Sequence, residues 1–152
     1  MIVADVMTEA SVADTVGESL RAAAALMWQQ QTGSLLIMDG DRLAGILTER
    51  DLLRAVARGA DVDVTTVHEV MTTQVRTVVA SASLHETARL MAANWIRHLP
   101  VVEGDKVVGV VSQRDLVGIL AALGPNPAGI ALPSDKLVRD QRLARIEHGD
   151  LD

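Results

Sequence analysis

The chain contains no cysteine, phenylalanine or tyrosine, and its only large aromatic residues are Trp28 and Trp95. Without thiols there can be no disulfide, no thiolate metal site and no cysteine nucleophile. With so few rings, the core must be built from Val, Leu, Ile, Met and Ala, and a planar ligand would lie mainly between aliphatic side chains. A single-strand nucleic-acid platform needs stacked aromatics, and these are missing. An excess of positive charge is missing too: the net charge is −6, against the phosphate neutralisation on which general nucleic-acid binding depends. The apolar runs Ala22–Trp28 and Leu116–Leu123 are far too short to span a bilayer. The opening Met1-Ile2-Val3-Ala4-Asp5 shows no basic region followed by an apolar stretch, so no signal peptide is read there. The expectation is a soluble, cytoplasmic protein.

Hydrophobic residues make up 49% of the 152 positions, enough for one ordinary domain or two small units sharing a core. The dominant feature is an internal duplication. Val6-Met7-Thr8 falls on Val70-Met71-Thr72, an offset of 64 positions, and the same offset carries the rest of the register without a gap. Ser19-Leu20 meets Ser83-Leu84, Leu26-Met27 meets Leu90-Met91, and Gly40-Asp41 meets Gly104-Asp105. Gly45 meets Gly109, and Arg50-Asp51-Leu52 meets Arg114-Asp115-Leu116. The period is longer than that of solenoid repeats, which favours two pseudosymmetric units packed on each other.

Each copy carries the same local signals. Leu20, Ala23, Ala24 and Met27 have helical spacing and predict a helix over Ser19–Gln30. In the second copy, Ser83-Leu84-His85-Glu86 is a capping box opening a helix that runs through Asn94. Short apolar strands follow at Leu35–Met38 and Leu99–Val102, then polar turns at Gly40 and Gly104, then strands at Leu43–Leu47 and Val107–Val111. A last helix begins at Thr48 or Ser112 and extends to about Arg58 or Leu123. The fold class expected is α/β (α+β), built from two β-α-β-β-α units. The boundaries expected are 1–60 for the first unit, 61–66 for a linker, 67–124 for the second unit and 125–152 for a tail. That tail has no counterpart in the first half, and Asp135–Glu147 is partly amphipathic, which fits a solvated helix.

The segment with chemistry occurs twice, as Gly45-Ile46-Leu47-Thr48-Glu49-Arg50-Asp51 and Gly109-Val110-Val111-Ser112-Gln113-Arg114-Asp115. Its plain reading is a helix cap, because Ser/Thr-x-x-Asp satisfies the first amide groups and the helix dipole. Its functional reading is a nucleotide site. A helix N-terminus offers amide donors to phosphate, Thr48 or Ser112 adds a hydroxyl, and Arg50 or Arg114 adds counter-charge. Asp51 or Asp115 supplies two acceptor oxygens, which match the vicinal hydroxyls of a ribose. A cap needs no arginine, so its double occurrence favours the ligand reading.

With Val70-Met71-Thr72, Leu99-Pro100-Val101 and Gly109–Asp115 in this order, each copy resembles a CBS domain, and the pair resembles the two-domain Bateman module of stand-alone bacterial type. The resemblance covers about residues 3–123. It implies units packed through their sheets, with clefts that take an adenosine-containing ligand: AMP, ADP or ATP, and less readily S-adenosylmethionine or NAD. It implies that Asp115 holds ribose, that Ser112 and Arg114 hold phosphate, and that Thr77 and the strand around Pro100 and Val101 contact the base. Asp51, Thr48 and Arg50 match the same motif in the first copy. There the positions of Pro100, His98 and Thr77 are taken by Leu36, Ser34 and Ala13, so the first site departs from the pattern. The resemblance also implies a homodimer and a regulated partner protein.

No catalytic set emerges. His68, His85, His98 and His148 are widely spaced and suggest no metal site. His98 stands beside the Leu99-Pro100 strand, where it either lines the cleft or serves structure. No serine lies in a nucleophile-elbow sequence. Trp28 and Trp95 read as helix-packing residues rather than ligand platforms, with a place at a dimer surface as the alternative for either. The reading is therefore a regulatory nucleotide-sensing module and not an enzyme, with no cofactor required and no nucleic-acid or membrane partner. The alternative is a structural or dimerisation module in which Asp51 and Asp115 only cap helices.

Overall fold

In the computed structural model, residues 1–10, 12–13 and 17–123 are described. The first copy runs β1 (Val12–Ala13), α1 (Leu20–Gln30), β2 (Ser34–Asp39), β3 (Arg42–Thr48) and α2 (Glu49–Ala57). The second copy runs α3 (Val67–Val70, one turn), β4 (Val78–Val79), α4 (Leu84–Asn94), β5 (His98–Glu103), β6 (Lys106–Ser112) and α5 (Gln113–Leu123). The fold is mixed α and β, as expected, and each strand extends one residue or so beyond its apolar run. The tail helix expected over 135–147, His148 and the rest of 124–152 lie outside the described residues.

Local chemistry places these elements. The Ser19 hydroxyl accepts from the Ala22 amide at 3.2 Å and starts α1. Ser83 and Glu86 form the expected capping box on α4. Both helices end on a left-handed residue, Gln31 (φ 53°) and Trp95 (φ 55°), which are equivalents under the repeat. Gly40 and Gly104 turn the two hairpins at φ near 60°, where a side chain would be strained. In each sheet the middle strand pairs parallel with the short strand and antiparallel with the next: β1-β2-β3 and β4-β5-β6. The register shift between Ile37 and Met38 recurs between Val101 and Val102.

The packing exchanges the first segment of each copy. Thr8 bonds Val110 of β6 through both backbone groups at 2.9 Å, and Thr72 bonds Ile46 of β3 the same way at 3.0 Å. The repeated Val-Met-Thr thus docks on the glycine strand of the opposite copy. That docking explains the glycines. A Cβ on Gly45 would lie 2.9 Å from the Thr72 carbonyl oxygen and 2.6 Å from Met71 Sδ. On Gly109 it would lie 2.8 Å from the Thr8 oxygen and 3.0 Å from Met7 Sδ. Only a glycine admits a backbone this close.

The cores follow the exchange. Val67 and Met71 join Leu20, Ala23, Met27, Leu35, Ile37, Leu47 and Ala55 in one cluster. Val3, with Val6 and Met7 beside it, joins Val78, Met91, Leu99, Val101, Val111 and Leu116 in the other. Val3 and Val67 are equivalents, and each is fully buried in the other copy's core. At roughly 1.5–3 kcal/mol per buried aliphatic side chain, each copy depends on a segment lent by its twin. Residues 1–119 accordingly form one body.

Candidate functional site

The N-termini of α2 and α5 repeat one arrangement. In the first copy, Asp51 Oδ2 accepts from the Thr48 amide and from the Thr48 hydroxyl, both at 2.8 Å. In the second, Asp115 Oδ2 accepts from the Ser112 amide at 2.7 Å and the Ser112 hydroxyl at 2.8 Å. The returning bonds from the Asp amides to these hydroxyls are longer, 3.4 and 3.3 Å. Each aspartate is therefore a helix cap, as the plain reading requires. Both hydroxyls donate to their own aspartate, so a phosphate would meet them mainly as acceptors unless they turn.

Capping uses one oxygen and fixes the rotamer, leaving Oδ1 to decide what else each aspartate does. Asp51 is buried, and its Oδ1 lies 3.7 Å from Arg54 Nη2, one turn along α2. The equivalent of Arg54 is Gly118. Asp115 is half-buried, and its Oδ1 has no hydrogen-bond or ion-pair partner among the described residues. It lines a cavity of about 760 Å³, within the range of small-molecule sites, roughly 300–1,000 Å³.

That cavity brings together four of the residues expected to bind ligand: His98, Ser112, Arg114 and Asp115. Thr48, Arg50 and Asp51 do not line it; they stand at the other helix N-terminus, on α2. Pro100 and Val101 are fully buried in the β5 core, which gives them a packing role. Thr77 is exposed just ahead of β4 and does not line the cavity.

Residues outside the expected set complete the walls. Thr8, brought in by the exchanged segment, lies beside Val110. The first copy contributes Ala24, Met27 and Trp28 from α1, Gln31 to Ser34 from the following turn, and Glu49 and Leu52 from α2. Trp28 corrects a sequence expectation: it packs against no core and is 79% exposed, because position 28 lies beside the buried stripe of α1 rather than on it. The signal that could have found this wall is asymmetry under the repeat. Trp28 stands opposite Ala92, Gly33 opposite Arg97, Ser34 opposite His98, and Glu49 opposite Gln113.

The electrostatics are mixed. Arg97 Nη2 lies 3.2 Å from Glu49 Oε1, joining the two copies across the cavity by an exposed ion pair worth about 0–1 kcal/mol. Gly33 approaches the His98 ring so closely that a Cβ there would lie 3.2 Å from Cε1 and Nε2. Burial holds the His98 imidazole below its ordinary pKa, with Arg97 and Arg114 adding to the effect and Glu49 and Asp115 opposing it. His98 is thereby a neutral donor and acceptor near pH 7. The arrangement offers an acceptor at Asp115, cations at Arg97 and Arg114, and the apolar side chains of Ala24, Met27, Trp28 and Leu52 in one cavity. Among the described residues no group of side chains could hold a metal ion, and no helix is long and apolar enough to cross a membrane.

Comparison with known proteins gives a consistent picture. The family model for the CBS domain matches twice, at residues 3–58 and 67–122. The CBS domain-containing protein YhcV of Bacillus subtilis is 36% identical over 115 residues, covering 75% of this chain and 81% of the relative. A putative signal-transduction protein with CBS domains from Burkholderia ambifaria is 38% identical at a TM-score of 0.73, over 83% of this chain and 90% of that one. The CBS domain pair of protein MJ0100, solved with 5-methylthioadenosine and S-adenosyl-L-methionine, is 26% identical at a TM-score of 0.74, over 81% and 98% of the two chains.

Proposed function

The chain belongs to the CBS-domain family, and from that premise we propose that it is a regulatory module that senses an adenosine-containing nucleotide in the cavity beside Asp115. The observation that carries this reading is Asp115, which lines a cavity of ligand size while the cap holds its Oδ2. A carboxylate fixed in this way accepts two hydroxyls of a ribose without reorganising. Arg114 and Arg97 supply charge for a phosphate, and His98 supplies a neutral hydrogen-bonding edge. The MJ0100 domain pair, which holds two adenosine derivatives, supports the ligand class. The module regulates rather than catalyses. Because the cavity takes walls from both copies, an occupant changes the balance of contacts between them, and a second chain in a homodimer or a partner protein reads the change.

Calorimetry with AMP, ADP, ATP, S-adenosylmethionine and NAD tests the proposal. Saturable heat is expected from at least one of them, and no heat from any would overturn it. Native mass spectrometry of the same sample reads the homodimer and any retained nucleotide.

A further inference from the structure

We propose that Trp28 is the ring-stacking residue of this cavity, covering the planar base of a nucleotide whose sugar is held at Asp115; the inference rests on the ligand reading above. Tryptophan is the largest apolar side chain available, yet this one is 79% exposed on a helix that buries Leu20, Ala23 and Met27. The fold does not need a ring there, since the equivalent position on α4 is Ala92. What distinguishes position 28 is the cavity, which Trp28 lines together with Ala24, Met27 and Leu52.

The two walls differ in chemistry. The second copy provides His98, Ser112, Arg114 and Asp115, all suited to a sugar and its phosphate. The first copy provides Ala24, Met27 and Leu52 along α1 and α2, with Trp28 the one ring among them, next to the polar turn residues and Glu49. A ligand anchored by its polar groups on one wall leaves its flat, poorly hydrated face toward the other, where an aromatic plane gains most. In a chain with two tryptophans and no other large ring, an exposed indole in this cavity marks a heteroaromatic ligand. Stacking of this kind tolerates different bases, so Trp28 supplies affinity for the ring while other contacts choose its identity.

Calorimetric titration with AMP and, in parallel, S-adenosylmethionine tests the inference on the wild-type chain and on Trp28→Ala, Trp28→Leu and Trp28→Phe. The expected result is a loss of about tenfold in affinity for Trp28→Ala. Trp28→Phe should restore most of it and Trp28→Leu should not, with an unchanged melting temperature throughout. Binding should also change the indole fluorescence of the wild-type chain, and that change should vanish in Trp28→Ala. Unchanged affinity in Trp28→Ala would overturn the inference. Rescue by Trp28→Leu would overturn it as well, since bulk rather than a ring would then suffice. So would a shift in oligomeric state in Trp28→Ala, which would assign the indole to a second copy of the chain. If the wild-type chain binds no compound of the wider panel, the proposed function itself fails and takes the stacking role with it; binding without any effect at position 28 removes the stacking role alone.

Discussion

Asp51 and Asp115 occupy equivalent positions, make the same capping bonds and differ in what surrounds their second oxygen. Asp51 is buried with Arg54 beside Oδ1, whereas Asp115 is half-buried and lines the cavity. The duplicated motif thus keeps its capping task in both copies, and among the described residues it is the second copy's aspartate that lines the cavity. The change that separates them is small: an arginine one turn along α2 is a glycine, Gly118, on α5.

The largest expected effect falls on this contrast. Asp115→Asn should weaken nucleotide binding by about two orders of magnitude, because two charge-assisted hydrogen bonds to a diol are each worth roughly 1.5–3 kcal/mol. Asp51→Asn should leave affinity within about threefold, a change too small for any lost charge-assisted bond to the ligand. Calorimetry on both variants decides it, and equal losses would abolish the distinction between the copies.

The glycines test where the copies remain alike. Gly45→Ala and Gly109→Ala each drive a methyl group into the backbone of the exchanged segment. Each should destabilise by about 1–3 kcal/mol, the usual range for overpacking. Chemical denaturation reads this directly, and a neutral result at either site would show that the exchanged segment yields there.

A substitution that makes the second copy resemble the first sharpens the comparison. Gly118 is exposed, and a Cβ added there would meet nothing within 4 Å, so Gly118→Arg is accommodated sterically. Its guanidinium would compete for Asp115 Oδ1, as Arg54 engages Asp51. Affinity should fall by about fivefold, the equivalent of a surface ion pair near 1 kcal/mol. The melting temperature should rise, since a glycine leaves the helix interior.

The smallest effect is pH-dependent. His98 titrates below its ordinary value in the folded chain, so the unfolded chain binds the proton more readily. Stability should therefore rise with pH between the depressed folded pKa and the ordinary histidine value, and be lost on acidification through that window. His98→Ser, the residue of the first copy at Ser34, should flatten the slope in urea melts collected across mildly acidic pH.

Much of the fold was legible in the chain itself. The helical spacing from Leu20 to Met27, the capping residues Ser19 and Ser83, the apolar strands and the turn glycines are signals read within a few residues, and α1, α4 and the two hairpins follow them. The 64-position register also foretold the pairing of Asp51 with Asp115 as caps. The role of Gly45 and Gly109 was not legible. The sequence attached them to the ligand motif, but their cause is the backbone of Thr72 and Thr8, distant in sequence and close only after folding. Nor did the sequence show that Pro100 and Val101 are fully buried, or bring Trp28 into the same cavity as Asp115. Short-range periodicity and capping belong to the chain because their partners are neighbours along it. That Asp115 lines a cavity, and which side chains from the other copy line it too, depends on contacts between segments far apart in sequence, and only the tertiary structure decided those.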